Sequence, residues 1–136
     1  VVLQTLHPEH IAVKGAVLGD YAAFAEGELA LRRELGYPPF TTLVRLLWIG
    51  KDEERLALAA EEATRTLRAE LASGGHEVVG PAPAVLPKAQ GRFRYHAILK
   101  VSEPEQALDG VLSRVRELSL PSSIKLRINV DPYDLF

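Results

Sequence analysis

The residues best suited to chemistry lie in one stretch, Gly80 to Val101, reading GPAPAVLPKAQGRFRYHAILKV. No carboxylate falls between Glu77 and Glu103, while Lys88, Arg92, Arg94 and Lys100 do. The whole chain carries 16 Lys and Arg against 18 Asp and Glu, a net charge of −2, so this positive charge is local. From Arg92 onward the residues alternate. Phe93, Tyr95, Ala97, Leu99 and Val101 fall on one side of a strand; Arg92, Arg94, His96, Ile98 and Lys100 fall on the other. Same-face residues on a strand stand about 6.6 Å apart, two strand rises. That repeat is comparable to the phosphate spacing of an extended nucleic-acid strand. A solvated strand face presents the same residue types. The reading with chemical content is a phosphate-contacting strip. The turn before it, Ala89-Gln90-Gly91, has the glycine that a hairpin needs at a positive φ.

The remaining residues offer little other chemistry. His7 and His10 are spaced to share a metal, but no third ligand is near in sequence and Pro8 between them favours a helix start. Asp131 and Asp134 imitate a carboxylate pair, yet the Pro-Tyr between them favours capping and solvation. Ser122-Ser123 lack a partnered His and Asp. There is no phosphate-cradling glycine loop, Walker lysine motif or nucleophile elbow. Cysteine is absent, which excludes disulfides, thiol catalysis and Cys-ligated zinc. No metal site, no cofactor and no catalysis are expected of this chain.

The elements that must position the strip follow from pattern. The 136 residues are 47% apolar and 25% charged, an ordinary globular composition with no membrane-length apolar run. Val1 to Thr5 reads as a buried strand. Pro8 opens a helix through Ile11 to Leu18, and Asp20 caps a second, carrying Tyr21, Phe24, Leu31 and Leu35 at helical spacing and ending at Gly36. Pro38-Pro39 forbid its continuation. Thr41 to Gly50 is then a strand. Asp52 caps a long helix with Leu56, Ala60, Ala63, Leu67 and Leu71 inward, stopping at Gly74-Gly75. Glu77–Gly80 and Ala84–Lys88 form one bent edge strand or two short ones, because of Pro81 and Pro83. Arg92 to Val101 is a strand. Ser102 with Glu105 makes a capping box for a helix with Leu108, Val111, Leu112, Val115 and Leu118 inward. Ser123 to Asp131 closes the chain as a strand.

From residue 37 on, the order is βαββαβ. Two one-sided helices then predict an α+β fold, a ferredoxin-like sandwich with both helices on one face of an antiparallel sheet. The other face stays open. It gathers Arg92, Arg94, His96, Lys100, Lys125 and Arg127, and from the first strand Leu43, Arg45, Leu47 and Ile49. Such a face, basic in one part and apolar in another, suits docking to a protein and to a nucleic-acid backbone.

Several segments together resemble one family. The runs VVLQTLHPEHIAV, DYAAFAEGELALRRELGYPPF and GPAPAVLPKAQGRFRYHAILK, and the closing Asn129-Val130-Asp131-Pro132, resemble in that order the C-terminal part of the primosomal protein N′ (PriA) family, the bacterial replication-restart helicases. The resemblance covers nearly the whole chain. It implies that residues 1–36 are the C-terminal edge of a second RecA-like helicase lobe with its connecting helices. Residues 37–136 would be a C-terminal DNA-binding and docking domain. It further implies an ATP-dependent 3′–5′ DNA helicase as the parent, with ATP, magnesium and zinc held upstream. The partners it implies are forked or single-stranded DNA, the tail of the single-stranded DNA-binding protein and other primosome proteins, without a membrane, in the cytoplasm at the nucleoid. Family members commonly close on Asp-Val-Asp-Pro; here Asn129 replaces the first carboxylate.

The residues then expected to contact DNA are Arg92, Arg94 and Lys88. Lys100, Lys125, Arg127 and Arg45 would extend the strip, and His96 would add charge below neutral pH. Leu43, Leu47 and Ile49 are the expected docking residues. An RNA-recognition-type module shares the βαββαβ order and would turn Phe93 and Tyr95 outward to stack bases. A pure protein-interaction domain would leave the arginines solvated.

Overall fold

A computed structural model describes residues 2–132 of the chain, which divides into two units between Pro38 and Pro39. In the first, α1 (Ile11–Leu18) and α2 (Tyr21–Leu35) form a helical hairpin. Glycine lets the helices approach: a Cβ at Gly15 would come within 2.8 Å of Phe24, and one at Gly27 would collide with Ile11. Asp20 caps α2 by accepting from the Ala23 N–H, and Gly36 ends it in a left-handed turn. No residue of either helix is buried; Tyr21, Leu31 and Leu35 are exposed rather than inward.

Two expectations fail in this unit. Residues 2–5 form no strand, because the two helices here offer no sheet edge to satisfy an extended backbone. Nor does Pro8 open α1. His10 does, its Nδ1 accepting from the Ala12 N–H. Among the described residues no three His, Cys, Asp or Glu side chains gather as a metal site would require.

The second unit follows from alternation. β1 (Thr41–Gly50) is β-branched and apolar along its length. Asp52 caps α3 (Glu53–Leu71) by accepting from the Arg55 N–H, and Glu53 and Glu54 lie in the first turn, where the helix dipole favours them. A short 3-10 turn, Ala72–Gly74, leads to β2 (Glu77–Ala89) and β3 (Arg92–Ser102). Gln90 and Gly91 join these two strands, both at positive φ (52° and 73°), as the two-residue hairpin turn matched to strand twist requires. α4 (Pro104–Arg116) and β4 (Lys125–Val130) complete a βαββαβ unit. All pairings are antiparallel, in the order β2-β3-β1-β4, which is the α+β ferredoxin-like arrangement.

The core lies between one sheet face and the two helices. Val44, Leu46 and Trp48 of β1 and Ala97, Leu99 and Val101 of β3 meet Leu56, Ala60, Ala63, Leu67 and Leu71 of α3 and Val111 and Val115 of α4. Each fully buried leucine contributes about 1.5–3 kcal/mol. β2 is a single edge strand with register shifts after Val79 and after Pro83; its Gly80–Pro81 peptide is cis. Gly80, at φ 103°, lies so close to β3 that a Cβ would stand 3.1 Å from the His96 carbonyl oxygen. Arg68 of α3 donates to the Val78 and Gly80 carbonyls, tying this irregular edge to the helix.

The expected capping box does not form. Glu103 occupies the cap position in a left-handed conformation without a side-chain bond, and Pro104 opens α4. The Ser102 hydroxyl is drawn away: it donates to the Gly75 carbonyl at 3.1 Å, while the Ser102 N–H donates to His76 Nδ1 at 3.1 Å. β4 is also shorter than expected, starting at Lys125. Asp131 closes it, its N–H donating to the Leu43 carbonyl and its carboxylate accepting from the Leu43 N–H. Asp134, the other half of the apparent carboxylate pair, lies outside the described residues.

Candidate functional site

Strand register sets the open face row by row, because directly paired residues point the same way. At one end Glu77, Lys100 and Leu43 share a row. The next holds Val79, Ile98, Arg45 and Asn129, and the one after it Ala82, His96, Leu47 and Arg127. Arg94, Ile49 and Lys125 follow, and Arg92 stands beyond them opposite Ala89. Charge is therefore graded along the face.

At the far end Arg92, Arg94, Lys125 and Arg127 surround one open depression of about 550 Å³, with Ile49 in its floor. Among the described residues none of the four meets a carboxylate. Arg92, Lys125 and Arg127 are exposed and Arg94 half-buried. Four cations around one concavity raise the local potential well above that of a lone surface arginine, so an anion entering it gains without an internal counter-ion to displace. Arg92 and Lys125 also line a neighbouring depression of about 610 Å³ with Lys51 and Arg55, two cations the sequence pattern did not single out. Lys51 and Arg55 sit just past β1, in a turn and a helix start, where strand alternation gives no signal.

Three of the expected cations stand elsewhere, Arg45 among them in the row of Ile98 and Asn129. Lys100 is at the opposite end of the face, in an ion pair with Glu77 at 3.2 Å. Lys88 pairs with Phe93 and so points to the helix side, its ammonium 4.7 Å from the centre of the Phe93 ring. The irregularity between Pro83 and Lys88 produces this change of face.

The middle of the face is drier. Leu47 is buried and Leu43 and Ile49 are half-buried, so of the three docking residues Leu47 has little surface to offer. Arg45 Nε and His96 Nδ1 are both buried without a hydrogen-bond partner. Burial first, and the Arg45 guanidinium second, hold the His96 imidazole below its ordinary pKa. His96 therefore stays neutral further into acid than an exposed histidine. Phe93 and Tyr95 pack against the core from the helix side, which removes the outward aromatic pair that an RNA-recognition-type surface needs.

The family model described as the primosomal protein N C-terminal domain matches residues 33–133, a span that includes every strand of the sheet. The chain belongs to this family. Relatives named replication restart protein PriA are 31% identical over 135 residues in Treponema pallidum, 28% over 140 in Borreliella burgdorferi and 26% over 138 in Bacillus subtilis. These alignments cover 98–99% of this chain but 17–20% of the relatives, so the chain spans about a fifth of their length. Within this primosomal domain, the four cations of that end come from β3 and β4, with Ile49 of β1 between them and Ala89 and Gln90 of the β2–β3 hairpin at its edge.

Proposed function

We propose that this domain serves a replication-restart helicase as a non-catalytic platform that grips DNA by its phosphates, at a fork or on a single strand. The observation that carries the reading is the cation end: Arg92, Arg94, Lys125 and Arg127 around one depression that no carboxylate lines among the described residues. Contacts of this kind position DNA without reading its sequence. With the aromatics turned inward, no stacking platform adds to them, and binding is weak and sequence-tolerant. The half-buried Ile49 among the cations, and the half-buried Leu43 at the other end of the same face, suit docking to the helicase core or to the tail of the single-stranded DNA-binding protein. In this reading residues 1–36 continue a RecA-like lobe, and ATP, magnesium and zinc are held by other segments of the helicase. Nothing among the described residues offers zinc a donor set. The proposed setting is the primosome, at the bacterial nucleoid; no described helix is long and apolar enough to cross a membrane.

The test is binding of a fluorescent single strand, and of the same sequence as peptide nucleic acid, which lacks phosphates. The domain is expected to bind the first and ignore the second, and Arg92→Ala with Arg94→Ala to weaken all DNA sequences alike. Equal binding to the uncharged analogue would refute phosphate recognition.

A further inference from the structure

The depression beside the cation end is formed where β1 turns into α3 and where the α4–β4 connection enters the sheet. Lys51 and Arg55 come from the first of these, Ser122 and Ser123 from the second, and Arg92 and Lys125 complete it. Because Arg92 and Lys125 line both depressions, the two form one continuous basic surface that passes over the end of the sheet. Among the described residues that line it, Asp52 is the one carboxylate. Its Oδ1 accepts from the Arg55 N–H at 3.1 Å, and its Oδ2 is 3.8 Å from Arg55 Nε, a pair exposed enough to hold Arg55 only weakly. Six cations thus face one carboxylate that is already engaged with its own helix. Gly50, paired with Phe93, ends β1, and Lys51 follows it directly at that end of the sheet.

We propose that a single nucleic-acid strand gripped at the cation end does not leave the protein there. It bends over the end of the sheet, and two further phosphates are taken by Lys51 and Arg55, with the hydroxyls of Ser122 and Ser123 donating to phosphate oxygens. The proposal rests on the phosphate-binding reading above and adds to it a direction and a second site. A platform confined to the open face would hold a straight strand; this one holds a bent strand, as a fork presents where its arms diverge.

The experiment measures affinity of oligothymidines of about 4 to 12 nucleotides, a range spanning common single-strand site sizes, at several salt concentrations. Six contacts on a single strand predict a slope of log affinity against log salt of about −4, and four contacts a slope of about −3. Lys51→Ala with Arg55→Ala is expected to move the slope from the first value to the second. The affinity of this variant is also expected to stop rising about two nucleotides earlier, one phosphate per lost cation. If that variant keeps the parent slope and length dependence while Arg92→Ala with Arg94→Ala flattens the slope, the bend is wrong and phosphate recognition stands. If neither pair changes the slope, or the parent does not bind, both fail. Lys51→Glu, an exposed charge reversal, provides a second variant and should lower affinity more than Lys51→Ala.

Discussion

His96 sits at the dry centre of a face whose end is basic, and the consequence is a pH dependence of stability. The folded imidazole titrates below its ordinary value, so between the two values the unfolded chain binds more protons than the folded one. The contribution of the neutral ring is complete above the ordinary histidine range and is lost as pH falls through the depressed native value. Urea unfolding between about pH 7.5 and pH 5, spanning the ordinary histidine range, should therefore show a steeper loss in the parent than in His96→Gln; parallel curves would remove the argument. The same shift moves any charge that His96 adds to the strip to lower pH than an exposed histidine would give. At this scale Arg92 and Arg94 were legible in the sequence because alternation alone fixes which side of β3 they take. Lys88 was not, because a strand irregularity turns it to the other face and no pattern in PAPAVLPKA gives its position.

Elements were legible where one local signal dominates. Asp52 before an apolar stripe, Gly91 in a two-residue turn and the alternation of β3 each produced the expected structure. Ser102 failed because α4 starts one residue later, with Glu103 at the cap position and Pro104 opening the helix, while the Ser102 hydroxyl donates to the distant Gly75 carbonyl. Ser102→Ala should therefore cost about 0.5–1.5 kcal/mol, the worth of an ordinary hydrogen bond. Glu105→Ala should stay within about 0.5 kcal/mol, toward the low end of what an exposed carboxylate in the first turn of a helix contributes through the dipole. The reverse order in thermal or chemical unfolding would restore the capping box. Gly91→Ala meets open space at its Cβ but keeps φ at 73°, so it should cost about 1–2 kcal/mol through backbone strain alone. Leu67→Ala, in the fully buried seam of α3, should cost about 2–5 kcal/mol.

For the whole molecule, the βαββαβ order predicted the sandwich, since two one-sided helices have a single sheet face to cover. Which basic residues converge was not readable in the same way. It depends on β3 and β4 flanking β1 in register, a pairing between residues more than thirty apart in sequence. The segment before Pro39 contrasts with the sandwich: its helices bury none of their residues. Amide exchange should therefore show far less protection in Ile11–Leu18 than in Arg92–Ser102; equal protection in a monomer would contradict the exposure seen here. The central claim, that the cation end binds the phosphates of DNA, is tested most directly by the salt dependence of the Arg92→Ala, Arg94→Ala double variant on single-stranded DNA. Losing two contacts should flatten the slope of log affinity against log salt by about 1.4. The thermal midpoint should stay nearly unchanged, because neither arginine contributes to the core. A double variant that binds as tightly as the parent, with the same slope, would contradict it.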